Sequence, residues 1–139
     1  MSLIFAALLL AAQDAASADD YPPCDQARAD RGIQSDLNIC AHHEFLQADA
    51  ELNAQWKVTA ARMHALDDDA YAERDGRPGF FEALLSAQRA WLSYRDAHCV
   101  NEGYWARGGS MEPMLVSFCL ASLTRDRTEQ LRQLAEYPD

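Results

Sequence analysis

The chain has no apolar run long enough to cross a bilayer; the longest, Leu3 to Ala12, is about the length of a signal-peptide core. Neither CxxC nor HxxxH spacing occurs, so the common ligand patterns of a zinc site are missing. HExxH and GxSxG are absent as well, which leaves no metalloprotease helix and no nucleophile elbow. Strand-like alternation is scarce, and no internal repeat or low-complexity segment is present. Basic residues are in the minority, 12 against 22 acidic, for a net charge of −10. A surface of that sign repels nucleic acid and anionic lipid and attracts cationic proteins, although acidity also serves simply to keep an exported protein soluble.

What is present begins with the leader. Ala16-Ser17-Ala18 fits the small-x-small pattern of signal-peptidase cleavage, making Asp19 the expected first mature residue. No Lys or Arg precedes the apolar run, a departure from the usual basic start of a leader. Cys24 follows Tyr21-Pro22-Pro23 and not a small-residue lipobox, so no lipid anchor is expected. The expectation is a signal peptide over 1–18 and a periplasmic or secreted protein. The remaining 121 residues form one domain, 19–139, large enough to bury a core of its own.

Apolar residues recur at helical spacing in three long stretches. The first runs from Asp36 to Leu66 through Leu37, Ala41, Phe45, Ala48, Leu52, Trp56 and Met63, with Thr59 and Ala60 filling a gap. Ser35 or Asp36 is expected to cap it, and the Asp67-Asp68-Asp69 cluster to end it, because negative charge is unfavourable at a helix C-terminus. Arg74 to Gly79 reads as a turn. The second stretch, Phe80 to Cys99, carries Phe81, Leu84, Leu85, Trp91 and Leu92 on one face. Gly103 to Pro113 reads as a loop. The third stretch, Met114 to Tyr137, has the row Val116, Leu120, Leu123, Arg127, Leu131 and Leu134 with Phe118 beside it. Residues 19–33 are polar, contain two prolines and read as an irregular arm. The expected fold is all-α, a three-helix antiparallel bundle with an irregular N-terminal arm and two disulfides.

Cys24, Cys40, Cys99 and Cys119 allow three pairings. Joining Cys24 to Cys40 and Cys99 to Cys119 closes short local loops, one pinning the arm to the first helix and one spanning the glycine loop, near each end of the helical body. Each such closure contributes roughly 3 kcal/mol in the chain-entropy account. Zinc competes as a reading, since Cys40 lies near His42 and His43, and Cys99 follows His98. Export favours oxidised thiols over metal binding, and no metal or cofactor is expected.

Polar residues interrupt the apolar rows. Gln88, Trp91 and Arg95 share one helical face, Arg127 breaks a leucine row, and Asp49 and Asn53 flank Leu52 and Trp56. A guanidinium on a packing face needs acceptors. Asp49 is therefore expected to pair with Arg95, Arg127 or both, with Asn53 and Gln88 completing the hydrogen bonds. The alternative is that the arginines bury their stems and reach for water. Either role is structural. No constellation passes as a catalytic site, and an enzyme is not expected.

The segments Asn38-Ile39-Cys40, Ala48 to Asn53 and Leu84 to Cys99 resemble the LprI-like lysozyme-inhibitor family, as do Gly109-Ser110, Cys119 and Leu123 to Arg127 followed by Leu131. The most distinctive run is Ala87 to Cys99, and the resemblance covers about residues 24–134. It implies a helical, exported bacterial domain with the local disulfide pattern, and inhibition of lysozyme, a cationic enzyme that cuts peptidoglycan.

Inhibition requires something to enter a cleft. The candidate is Gly103 to Met111, where Tyr104 and Trp105 could fill sugar subsites and Arg107 could meet a carboxylate. Against this stands the reading that both rings fold back over the nearby bridge as core. A second candidate surface is Asp67, Asp68 and Asp69 with Glu73 and Asp75, an acidic patch suited to a basic partner. The rival function is an immunity or chaperone-like envelope protein that binds a different partner.

Overall fold

The computed structural model describes residues 21–69 and 75–138. The apolar leader with its cleavage point, and Glu73 of the acidic patch, lie outside the described residues. The described residues contain four helices, α1 (Gln26–Asp30), α2 (Gln34–Asp67), α3 (Phe80–Gly103) and α4 (Glu112–Glu136), with a 3-10 turn at Tyr104–Ala106 and no strand. The three long helices form the expected bundle. Asn38 Nδ2 donates to the Ser110 carbonyl at 2.9 Å near one end, and Thr59 Oγ1 donates to the Leu131 carbonyl at 2.8 Å towards the other. The order is therefore up-down-up, with α2 and α4 parallel neighbours and α3 running back between their ends.

The boundaries depart from the sequence reading at several points. The arm is not wholly irregular. Asp25 caps α1 by accepting from the Arg28 amide at 3.0 Å, and Gly32, at φ 80°, reverses the chain after the helix. Neither Ser35 nor Asp36 caps α2; Ile33 occupies that position without a side-chain bond. Asp36 is buried instead and takes Arg28 Nε at 3.0 Å, holding α1 against α2. The second helix continues past Cys99 to Gly103, and α4 begins at Glu112 with Pro113 in its first turn, where a missing N–H costs nothing. The connection between them is accordingly shorter than the expected Gly103–Pro113 loop.

The core is unevenly distributed. Leu52, Met63, Leu84 and Leu131 form the buried apolar cluster, with Trp56, Leu66, Phe81, Trp91 and Leu134 packed around it. These residues occupy the half of the bundle towards the C-terminal end of α2. In the other half the buried residues along the α2–α4 seam are small, Ala41 and Ala48 on α2 and Ser117, Ala121 and Thr124 on α4, and the large buried side chain is the charged Arg95 of α3. Small side chains let two helices approach closely, and α2 with α4 is the most extensive helix pair. The leucine row of α4 is correspondingly only part of its buried face, because the seam runs through Ser117, Ala121, Thr124, Thr128 and Leu131. Leu92, expected on the inward face of α3, is 37% exposed, since Leu84, Gln88, Arg95 and Cys99 define the inner line.

Both disulfides form in the local pattern, Cys24–Cys40 and Cys99–Cys119. They do not sit near opposite ends. The up-down-up course brings the start of α2 beside the α3–α4 junction, so both bridges reinforce the end whose large apolar side chains are only partly buried. No cysteine remains as a free thiol.

Candidate functional site

The α3–α4 junction lies at that bridged end. Gly103 closes α3, and a Cβ there would lie 2.5 Å from Val116 Cγ2, so α3 and α4 meet at a contact that any larger residue would force to shift. The chain then makes its 3-10 turn. Arg107 donates its amide to the Tyr104 carbonyl at 3.2 Å, and Gly109 to that of Ala106 at 2.8 Å. Gly108 adopts φ 77°, a conformation that disfavours side chains, and donates to Glu112 Oε2 at 2.7 Å. The Cys99–Cys119 bridge and the Asn38–Ser110 bond fix the whole turn to α4 and α2.

On this braced turn Trp105 is 88% exposed. The reading in which its ring folds back as core is overturned, because a three-residue 3-10 turn leaves no slack for the ring to reach the interior. Tyr104 is 46% exposed and carries Arg107 over its ring, with the guanidinium carbon 4.5 Å from the centroid. Tyr104, Trp105 and Arg107 thus form a single protruding group.

The acidic candidates lie elsewhere. Asp67 is the last residue of α2, and its carboxylate accepts from the amides of Phe80 at 2.6 Å and Phe81 at 3.0 Å. It therefore caps α3, placing negative charge at the positive end of that helix. Gly79 makes room, since a Cβ there would come within 2.7 Å of the same carboxylate. Asp68 and Asp69 follow and are exposed. Asp75 forms a side-chain hydrogen bond with Arg77, which holds its carboxyl below the usual carboxylate range. From Asn38 to Asp67 along α2 is roughly 40 Å at the helical rise, so the tip and the acidic patch occupy opposite ends of the molecule. A standard interface of about 800 Å² per partner does not reach both.

The polar network divides into two parts. Arg95 is nearly buried; Nη1 lies 3.4 Å from Asp49 Oδ1 and 3.3 Å from Thr124 Oγ1, and Nε lies 2.9 Å from Asp96 Oδ1. Asn53 Nδ2 donates to the other Asp49 oxygen at 3.2 Å. The Arg95 guanidinium also stacks near Phe45 and Trp91, at 5.3 and 5.1 Å from their centroids. Arg127 does not join Asp49. It donates to Gln88 Oε1 at 2.9 Å and Gln130 Oε1 at 3.0 Å, and its buried Nη2 has no partner among the described residues. Burial pushes its pKa down from the ordinary value. These residues hold α3 to α2 and α4, with Gln88, Arg95 and Arg127 buried and Asn53, Asp96 and Gln130 at the surface.

His42 and His43 are engaged with the arm. Tyr21 lies 4.1 Å from the His42 ring centroid, and His43 Nε2 is 2.7 Å from the Pro22 carbonyl. No group of three His, Cys, Asp or Glu side chains is arranged to hold a metal ion among the described residues. No helix among them is long and apolar enough to cross a membrane.

The family model described as lysozyme inhibitor LprI matches residues 24–131, spanning both bridges, the network and the tip. The chain belongs to the lysozyme inhibitor LprI family. An uncharacterized protein of Rhizobium meliloti (strain 1021) is 50% identical over 121 residues, covering 83% of this chain and 80% of the relative. No solved structure matches significantly. Sequence reasoning had named the LprI family residues, the tip aromatics and Arg107. It missed the capping role of Asp67, which a carboxylate preceding the Gly79-Phe80 helix start across a turn could have signalled.

Proposed function

We propose that this LprI family member is an exported protein that inhibits a lysozyme by seating the Tyr104-Trp105-Arg107 tip in or against the sugar-binding cleft. The observation that carries this reading is Trp105, 88% exposed on a turn held by a disulfide, two glycines and cross-helix bonds. An indole presented on a rigid turn binds with little ordering cost. Aromatic and arginine side chains are also the residue types that dominate binding energy at interfaces. Lysozymes carry catalytic carboxyl groups in the cleft, and Arg107 offers a cation of matching sign.

The acidic excess, 22 acidic against 12 basic residues with only Asp14 lying in the leader, supplies long-range attraction to a basic enzyme. Steering of this kind raises the encounter rate and fades as salt screens it, so association slows when ionic strength rises. The Asp67–Asp69 patch contributes to that field from the far end and does not enter the contact. Nothing in this mechanism requires catalysis or a cofactor; the protein acts by occupancy.

The experiment is titration of the oxidised protein, expressed without its leader, against chicken-type and goose-type lysozymes while following cell-wall lysis. Loss of lysis at near-equimolar inhibitor with one class is the expected result. Full activity of both classes at a large molar excess contradicts the reading and favours the rival partner, to be sought by pull-down against other envelope hydrolases.

A further inference from the structure

Next to the tip, a groove of about 400 Å³ opens between α3 and α4 alongside the Cys99–Cys119 bridge. It is lined by the apolar Leu115, Phe118 and Leu123, by Cys119 of the bridge, and by the polar His98, Glu102 and Ser122. Phe118 is 41% exposed there, a large ring left uncovered in a helix that otherwise buries its apolar face. Glu102 lies 3.5 Å from His98 Nε2 through one carboxylate oxygen and keeps half of its side chain open to solvent. Tyr94, itself more than half exposed, stacks on His98 at 5.3 Å and extends the aromatic edge.

We propose that this groove receives an arginine or lysine side chain of the protein that the Trp105 tip engages. The proposal rests on the tip being the contact surface, and it names the chemistry of the neighbouring contact. A lining that combines apolar side chains with a half-exposed carboxylate matches a side chain that has an aliphatic stem and a cationic head. The stem covers Leu115 and Leu123, while the head lies between the Glu102 carboxylate and the Phe118 ring, where charge pairing and cation–π attraction act together. The overall charge of −10 disfavours an anionic occupant and favours a partner rich in such cations. Position supports the same choice. Glu102 precedes Trp105 by three residues, about 5 Å along a helix axis, and Leu115 is in the first turn of α4. A partner seated on Trp105 therefore has the groove within its reach.

The test uses the full oxidised protein and small probes: argininamide, and norvalinamide as the equivalent without the guanidinium. Amide chemical shifts are followed during each titration. Argininamide is expected to move Glu102, Phe118 and Ser122 at millimolar concentration and to bind at least fivefold more tightly than norvalinamide. Glu102→Gln should weaken argininamide at least fivefold, whereas Glu136→Gln, which removes the same charge at the far end of α4, should change it less than twofold. Equal binding of the two probes, shifts elsewhere, or an unaffected Glu102→Gln overturns the groove assignment. Lysozyme inhibition without argininamide binding overturns the groove alone. Argininamide binding by a protein that inhibits no lysozyme sustains the groove and overturns the proposed function alone.

Discussion

Gly103 and Val116 are in such close approach that a methyl group on the glycine would overlap the valine Cγ2 at 2.5 Å. That contact sets where α3 ends against α4, and so where the turn carrying Trp105 emerges. A residue that elsewhere would weaken a helix is here the condition for the junction.

Replacing Gly103 with Ala is expected to destabilise the protein by about 1–2 kcal/mol, overpacking outweighing the gain in helix propensity. Adding Val116→Ala should remove most of that cost, so the two substitutions are non-additive. Urea unfolding of the four proteins in the cycle measures the coupling. Strict additivity would show that the contact is slack.

Arg127 and Gln88 make a buried polar pair in which one guanidinium nitrogen stays unsatisfied among the described residues. Arg127→Ala should cost about 2–3 kcal/mol, through lost packing and a stranded Gln88 oxygen. The apolar double variant Gln88→Leu with Arg127→Met should be within about 1 kcal/mol of the parent, because it removes the desolvated charge as well as its partner. Thermal or urea unfolding decides this, and a double variant as unstable as Arg127→Ala would mean that the pair contributes more than its desolvation costs.

His42 gives the stability a pH dependence. Partial burial, and secondarily the neighbouring His43, lower its pKa from the ordinary 6.5. The folded protein thus binds this proton less readily than the unfolded chain. Its contribution is complete above about pH 6.5, and it is lost as pH falls below that value through the folded pKa. A melting series from pH 8 to pH 5 should show a decline that His42→Gln reduces. An identical slope in the variant would assign the decline to other groups.

The sequence made the helical architecture readable because three amphipathic stretches carry their period openly, and the Asp67–Asp69 cluster ended the first of them where the helix does end. The residues alone left three cysteine pairings open, of which the local one is observed, and offered Asp49 either Arg95 or Arg127, of which Arg95 is its partner. The short helix α1 was not, because two prolines and a polar composition outweighed the Asp25 cap and the Gly32 stop. The exposure of Trp105 was undecidable from residue type: an indole is as much at home in a core as at an interface. What decides it is the shortness of the turn, which depends on α3 continuing through Gly103. The reach of α2 likewise separates Asp67 from the tip, and a linear sequence does not display which ends of helices meet.

The direct measurement of the central claim is the inhibition constant of the oxidised protein and of its Trp105→Ala variant against a sensitive lysozyme, with circular dichroism confirming that both are folded. Removing an exposed anchor that becomes buried in the complex should cost about 2 kcal/mol or more, which raises the constant roughly 30-fold. An equal constant for the two folded proteins would contradict the account, placing the inhibitory contact away from the bridged tip.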